Sequence, residues 1–288
     1  MLYQVRHITR YAYREPVTTC HSELRLAPRV TPNQKVWKRT IAVRPSPERV
    51  DERMDYFGNH VHSFALFDSH AELEVTAESV VEVSPPAVGR AEEGPPWEQV
   101  RDKVRVARSG NSFDAIEFTS ESPFVVGSPE IELYARESFT PGRGIISSAV
   151  DLTERIHRDY EYKPESTTID TKPAEVFAAR RGVCQDFAHL MLAMVRSLGL
   201  PARYVSGYLR SGANYTGAEA SHAWVSIFVP GPGWFDLDPT NNAVPTEGHV
   251  TVAWGRDYGD VAPLKGVTLG GGEQKVEVDV RVAPEVNA

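Results

Sequence analysis

Between Leu2 and Val83, apolar and polar residues alternate or run together with β-branched and aromatic side chains. The stretches LYQVRHITRYAY, KVWKRTIAVRP, HVHSFALF and AELEVTAESVVEV are separated by Pro, Asn, Asp and Gly clusters. A period near two marks strands that lie half-buried on a sheet. Residues 1–83 therefore predict an all-β, sandwich-like domain, with Gly58-Asn59 in YFGN as a hairpin turn between two of the runs. The pattern stops at residues 84–96, SPPAVGRAEEGPP, which hold four prolines and no periodicity. This is the composition of a linker.

Past the linker the period becomes helical. Trp97 to Arg108, EIELYARESF after Ser128-Pro129, and GIISSAVDLTERIHRDY, with Ile145, Ile146, Ala149, Leu152 and Ile156 on one stripe, predict helices. Phe187, Leu190, Met191, Met194, Val195 and Leu198 form another such stripe, stopped by Gly199 and Pro201. From Ala202 onward ARYVSGYL, HAWVSIFV, GWFDLDP and EQKVEVDVRV read as strands, while WGRDYGDVAPLKGVTLGGG reads as a long ordered loop. Residues 97–288 thus predict a second domain of helices packed on an antiparallel sheet, and the chain is expected to be α+β.

Composition narrows the classes of function. The 31 basic and 39 acidic residues give a formal charge of −8 without a long single-sign block. That offers no footprint for nucleic acid or an anionic membrane. No apolar run approaches the roughly 20 residues that span a bilayer, and the opening MLYQVRHITRYAYREP carries charges where a secretory leader needs an apolar core. A cytoplasmic location is the expectation. Two cysteines, Cys20 and Cys184, are too few for a disulfide framework or a thiolate metal cluster.

Cys184 holds the chemistry. A step of three back from Phe187 puts the thiol on the inward face of the first turn of its helix, where free backbone N–H groups and the positive end of the dipole favour an anion. A thiol nucleophile needs a base, and the base needs an acceptor to orient it. The stretch AEASHAWVSIFVPGPGWFDLDPTNN offers both: His222 opens one strand, and a second strand after the PGPG turn carries Asp236 and Asp238. Both carboxylates point to one face of that strand, so alternation leaves the choice between them open.

In family order, GVCQDFA, VRSLGLPARYVSGY, SHAWVSI and GWFDLDPT resemble the core of the transglutaminase-like superfamily, a papain-related cysteine fold. The N-terminal strands and GRDYGDVAPLKGV are similar to the bacterial subgroup that places a β-rich domain before this core. The resemblance implies Cys184 as nucleophile, His222 as general base and then acid, and Asp238 as the residue that orients the imidazole. It implies a peptide or protein substrate and calls for no cofactor and no metal. Gln185 follows the cysteine where animal transglutaminases have Trp, and their calcium-binding insertions are not evident, so the expected reaction is hydrolysis of an amide or peptide bond. Acyl transfer to an amine is the alternative, and a catalytically idle scaffold that keeps the fold is another.

Other residues carry plainer expectations. Asp186 is read as a cap or structural partner at the helix start, His189 as packed, Trp224 and Trp234 as core residues flanking the site, and Cys20 as structural. Arg180-Arg181 is read as a solvated loop and Gly182 as a tight turn into the helix. His60 and His62 share a strand face without recognisable metal-ligand spacing. Residues 1–83 are consistent with screening the cleft, recognising substrate or forming a homo-oligomer, and nothing in them chooses.

Overall fold

A computed structural model describes residues 1–86 and 94–285. Of the linker expected at 84–96, residues 87–93 lie outside the described residues. The strands are β1 (Leu2–Leu24), β2 (Gln34–Arg44), β3 (Val50–Met54), β4 (His60–Leu66), β5 (His70–Val83), β6 (Glu161–Tyr162), β7 (Arg181–Gly182), β8 (Ala202–Leu209), β9 (His222–Val229), β10 (Gly233–Leu237), β11 (His249–Gly255), β12 (Leu264–Gly270) and β13 (Gln274–Pro284). The helices are α1 (Trp97–Val106), α2 (Asn111–Asp114), α3 (Pro129–Ser138), α4 (Ile145–Asp159), α5 (Pro173–Ala179), α6 (Cys184–Ser197) and α7 (Tyr258–Val261). The protein is α+β.

The first sheet is antiparallel, in the order β2-β5-β1-β4-β3, with β12 and β13 also paired to β1. The long strand β1 serves two sets of neighbours. Tyr3 pairs with Val81 of β5 and Pro284 of β13, whereas Cys20 pairs with Leu66 of β4 and Thr268 of β12. The register against β5 shifts between Ala12 and Val17, across Pro16, which has no N–H to give to a ladder.

Two expectations are corrected here. EQKVEVDVRV joins the first sheet and not that of the second domain, and the expected loop after Trp254 contains α7 and β12. The physical reason lies in β1, whose second edge would otherwise be an open row of unpaired backbone groups. Val280 and Val282 are buried with Tyr3 and Val5 in one cluster. Of the unit expected at 97–288, only the strands before α7 keep out of the first sheet.

The second sheet runs β10-β9-β8-β11, all antiparallel. Every residue of β8 and β9 is buried, in keeping with their nearly continuous apolar sequences. Helix α6 packs on these strands, and its residues from Asp186 to Arg196 are all buried. The N-terminal region closes the sheet's β11 side. Gln34 donates to the Thr251 carbonyl at 2.7 Å and accepts from the Thr251 N–H at 2.8 Å, and Asn59 does the same with Trp254 at 2.9 and 3.0 Å. Two carboxamides thus do what a further strand would do for an edge.

Candidate active site

Cys184 is the first residue of α6, half-buried against the main core, and the preceding Val183 is extended. Asp186 organises this turn. Its Oδ2 accepts from the Val183 N–H at 2.8 Å and from the Thr167 hydroxyl at 2.6 Å, which satisfies a helix-start donor and places a carboxylate at the positive end of the dipole. Burial pushes the Asp186 carboxyl up, and the two hydrogen bonds oppose the shift. Gly182 is needed for clearance and not for a left-handed turn: an added Cβ would sit 2.8 Å from Asp186 Cβ and Oδ2.

His222 opens β9 and is buried, 1% exposed. Its Nε2 lies 2.9 Å from Asp238 Oδ2, and the charge of the neighbouring Cys184 favours the protonated imidazole. Burial by itself would hold the ring neutral, but the negative charge of Asp238 and the interaction with Cys184 outweigh it and hold the proton well above the ordinary 6.5. For Asp238, burial disfavours the charge, yet His222 and His249 keep it ionised well below the usual carboxylate range. The structure thus brings Cys184, His222 and Asp238 together, and it separates the two carboxylates that alternation left equal. Asp236 Oδ2 accepts from Trp224 Nε1 at 3.3 Å.

Three residues at this site were missed. His249 places Nε2 3.2 Å from Asp238 Oδ2, and Asn241 Nδ2 donates to the same oxygen at 2.8 Å. Tyr162 pairs with Gly182 across β6 and β7. An added Cβ on Gly217 would lie 3.5 Å from the Tyr162 hydroxyl and 3.2 Å from His222 Nδ1, so hydroxyl and imidazole share one small space. Burial, reinforced by Cys184 and Glu219, raises the Tyr162 pKa. The alternation in HVTVAW was the available sign for His249; a two-residue strand gives none for Tyr162.

The remaining expectations divide. His189 is buried, stacked on Phe124, as a packing role requires. Trp224 is fully buried and stacks on His222, with ring centroids 6.3 Å apart. Trp234 instead lies over the Arg203 guanidinium at 4.3 Å. Arg180 and Arg181 are both exposed, as expected, and Arg180 also bonds the Tyr160 hydroxyl at 2.8 Å and lies over the rings of Phe177, Tyr160 and Tyr134. Cys20 is buried beside Ser22. His60 Nδ1 is 2.9 Å from Glu52, and among the described residues no group of three His, Cys, Asp or Glu is placed to hold a metal ion. No helix among them is long and apolar enough to cross a membrane.

Residues 3–82 match the bacterial transglutaminase-like N-terminal region, and residues 134–239 match the transglutaminase-like superfamily. An uncharacterized protein of Mycobacterium tuberculosis is 38% identical over 299 residues, covering 98% of this chain and 92% of its own. A protein-glutamine gamma-glutamyltransferase of Pseudomonas aeruginosa is 36% identical over 92 residues, which are 30% of this chain and 14% of that protein. The crystal structure of a candidate cysteine protease from Cytophaga hutchinsonii superposes with a TM-score of 0.78 at 23% identity, covering 100% of this chain and 92% of that one.

Proposed function

Because the chain belongs to the transglutaminase-like superfamily, we propose that it is a cysteine-dependent hydrolase of amide or peptide bonds. Cys184 is the nucleophile, His222 carries the proton and Asp238 orients the imidazole. The observation that carries this reading is the buried His222–Asp238 contact of 2.9 Å, with Cys184 close enough for its charge to act on the same ring. Cys184 passes its proton to His222, and the thiolate attacks the carbonyl carbon. The C–N bond then breaks as His222 protonates the leaving amine, which leaves a thioester. Water, deprotonated by His222, attacks the thioester, and the acid departs as the thiol is restored. The Cys184 N–H, at a helix start and without an intrahelical acceptor, supplies one donor to the oxyanion.

A second reading replaces water with an amine, and the stretch shared with the Pseudomonas glutamyltransferase favours it. Casein as substrate, with and without a fluorescent primary amine, separates the two. New amino termini point to peptide hydrolysis and incorporated amine points to transfer. Site-specific alkylation by iodoacetamide tests the chemistry common to both, with Cys20 as a buried internal reference. Cys184 is expected to react at least about a hundredfold faster in the parent than in His222→Ala, the scale of general base assistance. Equal rates would remove the hydrolase and the transferase together and leave the scaffold reading.

A further inference from the structure

Asp238 holds two imidazoles. Oδ2 receives His222 Nε2 at 2.9 Å, His249 Nε2 at 3.2 Å and Asn241 Nδ2 at 2.8 Å, while Oδ1 receives the backbone N–H groups of Thr240 at 3.0 Å and Asn241 at 3.2 Å. A carboxylate offers about four lone-pair sites, so five surrounding nitrogens leave it no freedom to turn. His249 is brought there by β11 and is 4% exposed. Its ring meets the edge of Trp224 at 5.3 Å and of Tyr215 at 5.2 Å, and its Nδ1 has no hydrogen-bond partner among the described residues. Trp224 reaches this position because β8 has glycine at 207, where any Cβ would collide with the indole and with the Val250 carbonyl.

We propose that His249 is a positioning residue for the Cys184–His222–Asp238 chemistry: its Nε2–H pins Asp238 Oδ2 so that the oxygen stays aimed at His222 while that imidazole takes and gives its proton. This inference rests on the function proposed above. A buried imidazole whose single polar contact among the described residues is this oxygen would otherwise be a costly way to fill space. His249 also sits on the strand that Gln34 and Asn59 brace, so the N-terminal region meets the site through it.

The other titratable groups facing the cluster are Cys184 from α6, Tyr162 from β6 and Tyr215 from the loop after β8, the last sensing the Asp238 charge. Cys184 alkylation by iodoacetamide, followed against pH in the parent, His249→Phe, His249→Gln and His222→Ala, tests the role. Losing one hydrogen bond to a charged group corresponds to about a tenfold lower rate at neutral pH for His249→Phe. His249→Gln, which keeps an N–H, should lie between this variant and the parent. A His249→Phe profile that superimposes on the parent overturns the inference, as does a Gln variant no better than Phe. His222→Ala matching the parent overturns the underlying hydrolase reading instead. Ring 1H–15N spectra of the unmutated protein decide the matter if the Phe variant does not fold: the proton on His249 Nε2 supports the role, and the proton on Nδ1 overturns it.

Discussion

His189 and His222 are equally buried, each 1% exposed, and the regions around them set opposite charges. His189 lies in α6, one turn past the nucleophile, stacked on Phe124 and tilted against Tyr204. Its Nε2 accepts from the Tyr258 N–H at 3.2 Å. Burial, then Arg196 and Lys172, lowers its pKa to about 3. His222 pays the same desolvation, yet a carboxylate at 2.9 Å and the neighbouring cysteine reverse the outcome. Burial sets the size of the stakes, and the partner decides the sign.

The largest expected effect comes from removing the group that distinguishes the two. In Asp238→Asn, His222 should lose its proton in the range of an unpaired buried imidazole, and Cys184 alkylation should fall at least about a hundredfold. Stability should respond as well. The His222 contribution, with a raised folded pKa, is complete below 6.5 and fades as pH rises through the folded value; that of Asp238, with a lowered one, is complete above 3.8 and fades as pH falls. The melting temperature of the parent minus that of the variant should therefore be greatest between about pH 4 and 6.5. A flat difference would break the comparison.

His189→Phe probes the other side. A His held neutral by the fold opposes folding once the unfolded chain binds its proton, so the parent should lose about 3 kcal/mol between pH 7 and 4 on this account. The Phe variant should lose correspondingly less in denaturant titrations at the two pH values; equal losses would show that the buried ring is not the acid-sensitive element. The smallest effect is expected at the brace. Gln34→Leu removes the side-chain partner of the Thr251 N–H and leaves the Thr251 carbonyl with the Arg29 N–H, at about 1–3 kcal/mol of stability. Urea unfolding measures it, and no change would mean that water replaces the carboxamide.

Local pattern made most elements legible. The apolar stripe from Phe187 to Leu198 is α6, and ARYVSGYL and HAWVSIFV are β8 and β9 to the residue. Ser128 caps α3 by accepting from the Ile131 N–H at 3.4 Å, in keeping with the Ser-Pro start. The failures are all non-local. Alternation in EQKVEVDVRV announces a strand without saying which sheet receives it, since that is settled by the open edge of β1. His249 and Gln34 act through contacts with residues 11 and 217 positions away, and no spacing rule reaches that far. Arg180 is the exposed residue expected, but its stacking on Tyr160 and Phe177 was out of reach because it depends on where α4 and α5 lie.

The pairing of β1 with β13 has a consequence for how the molecule is made. β13 begins 250 residues after β1 ends. At about 5–20 residues per second, a ribosome takes on the order of ten to fifty seconds to cover that distance. Throughout that interval the nascent sheet has β4 and β5 to hold one side of β1, and the other side waits. Arg6, Arg10 and Arg14 recur at every fourth position along this strand, charges of the kind that discourage a chance partner. β1 is thus completed only when β13 arrives, and a polypeptide stalled before Gln274 would leave the ribosome with that long edge exposed.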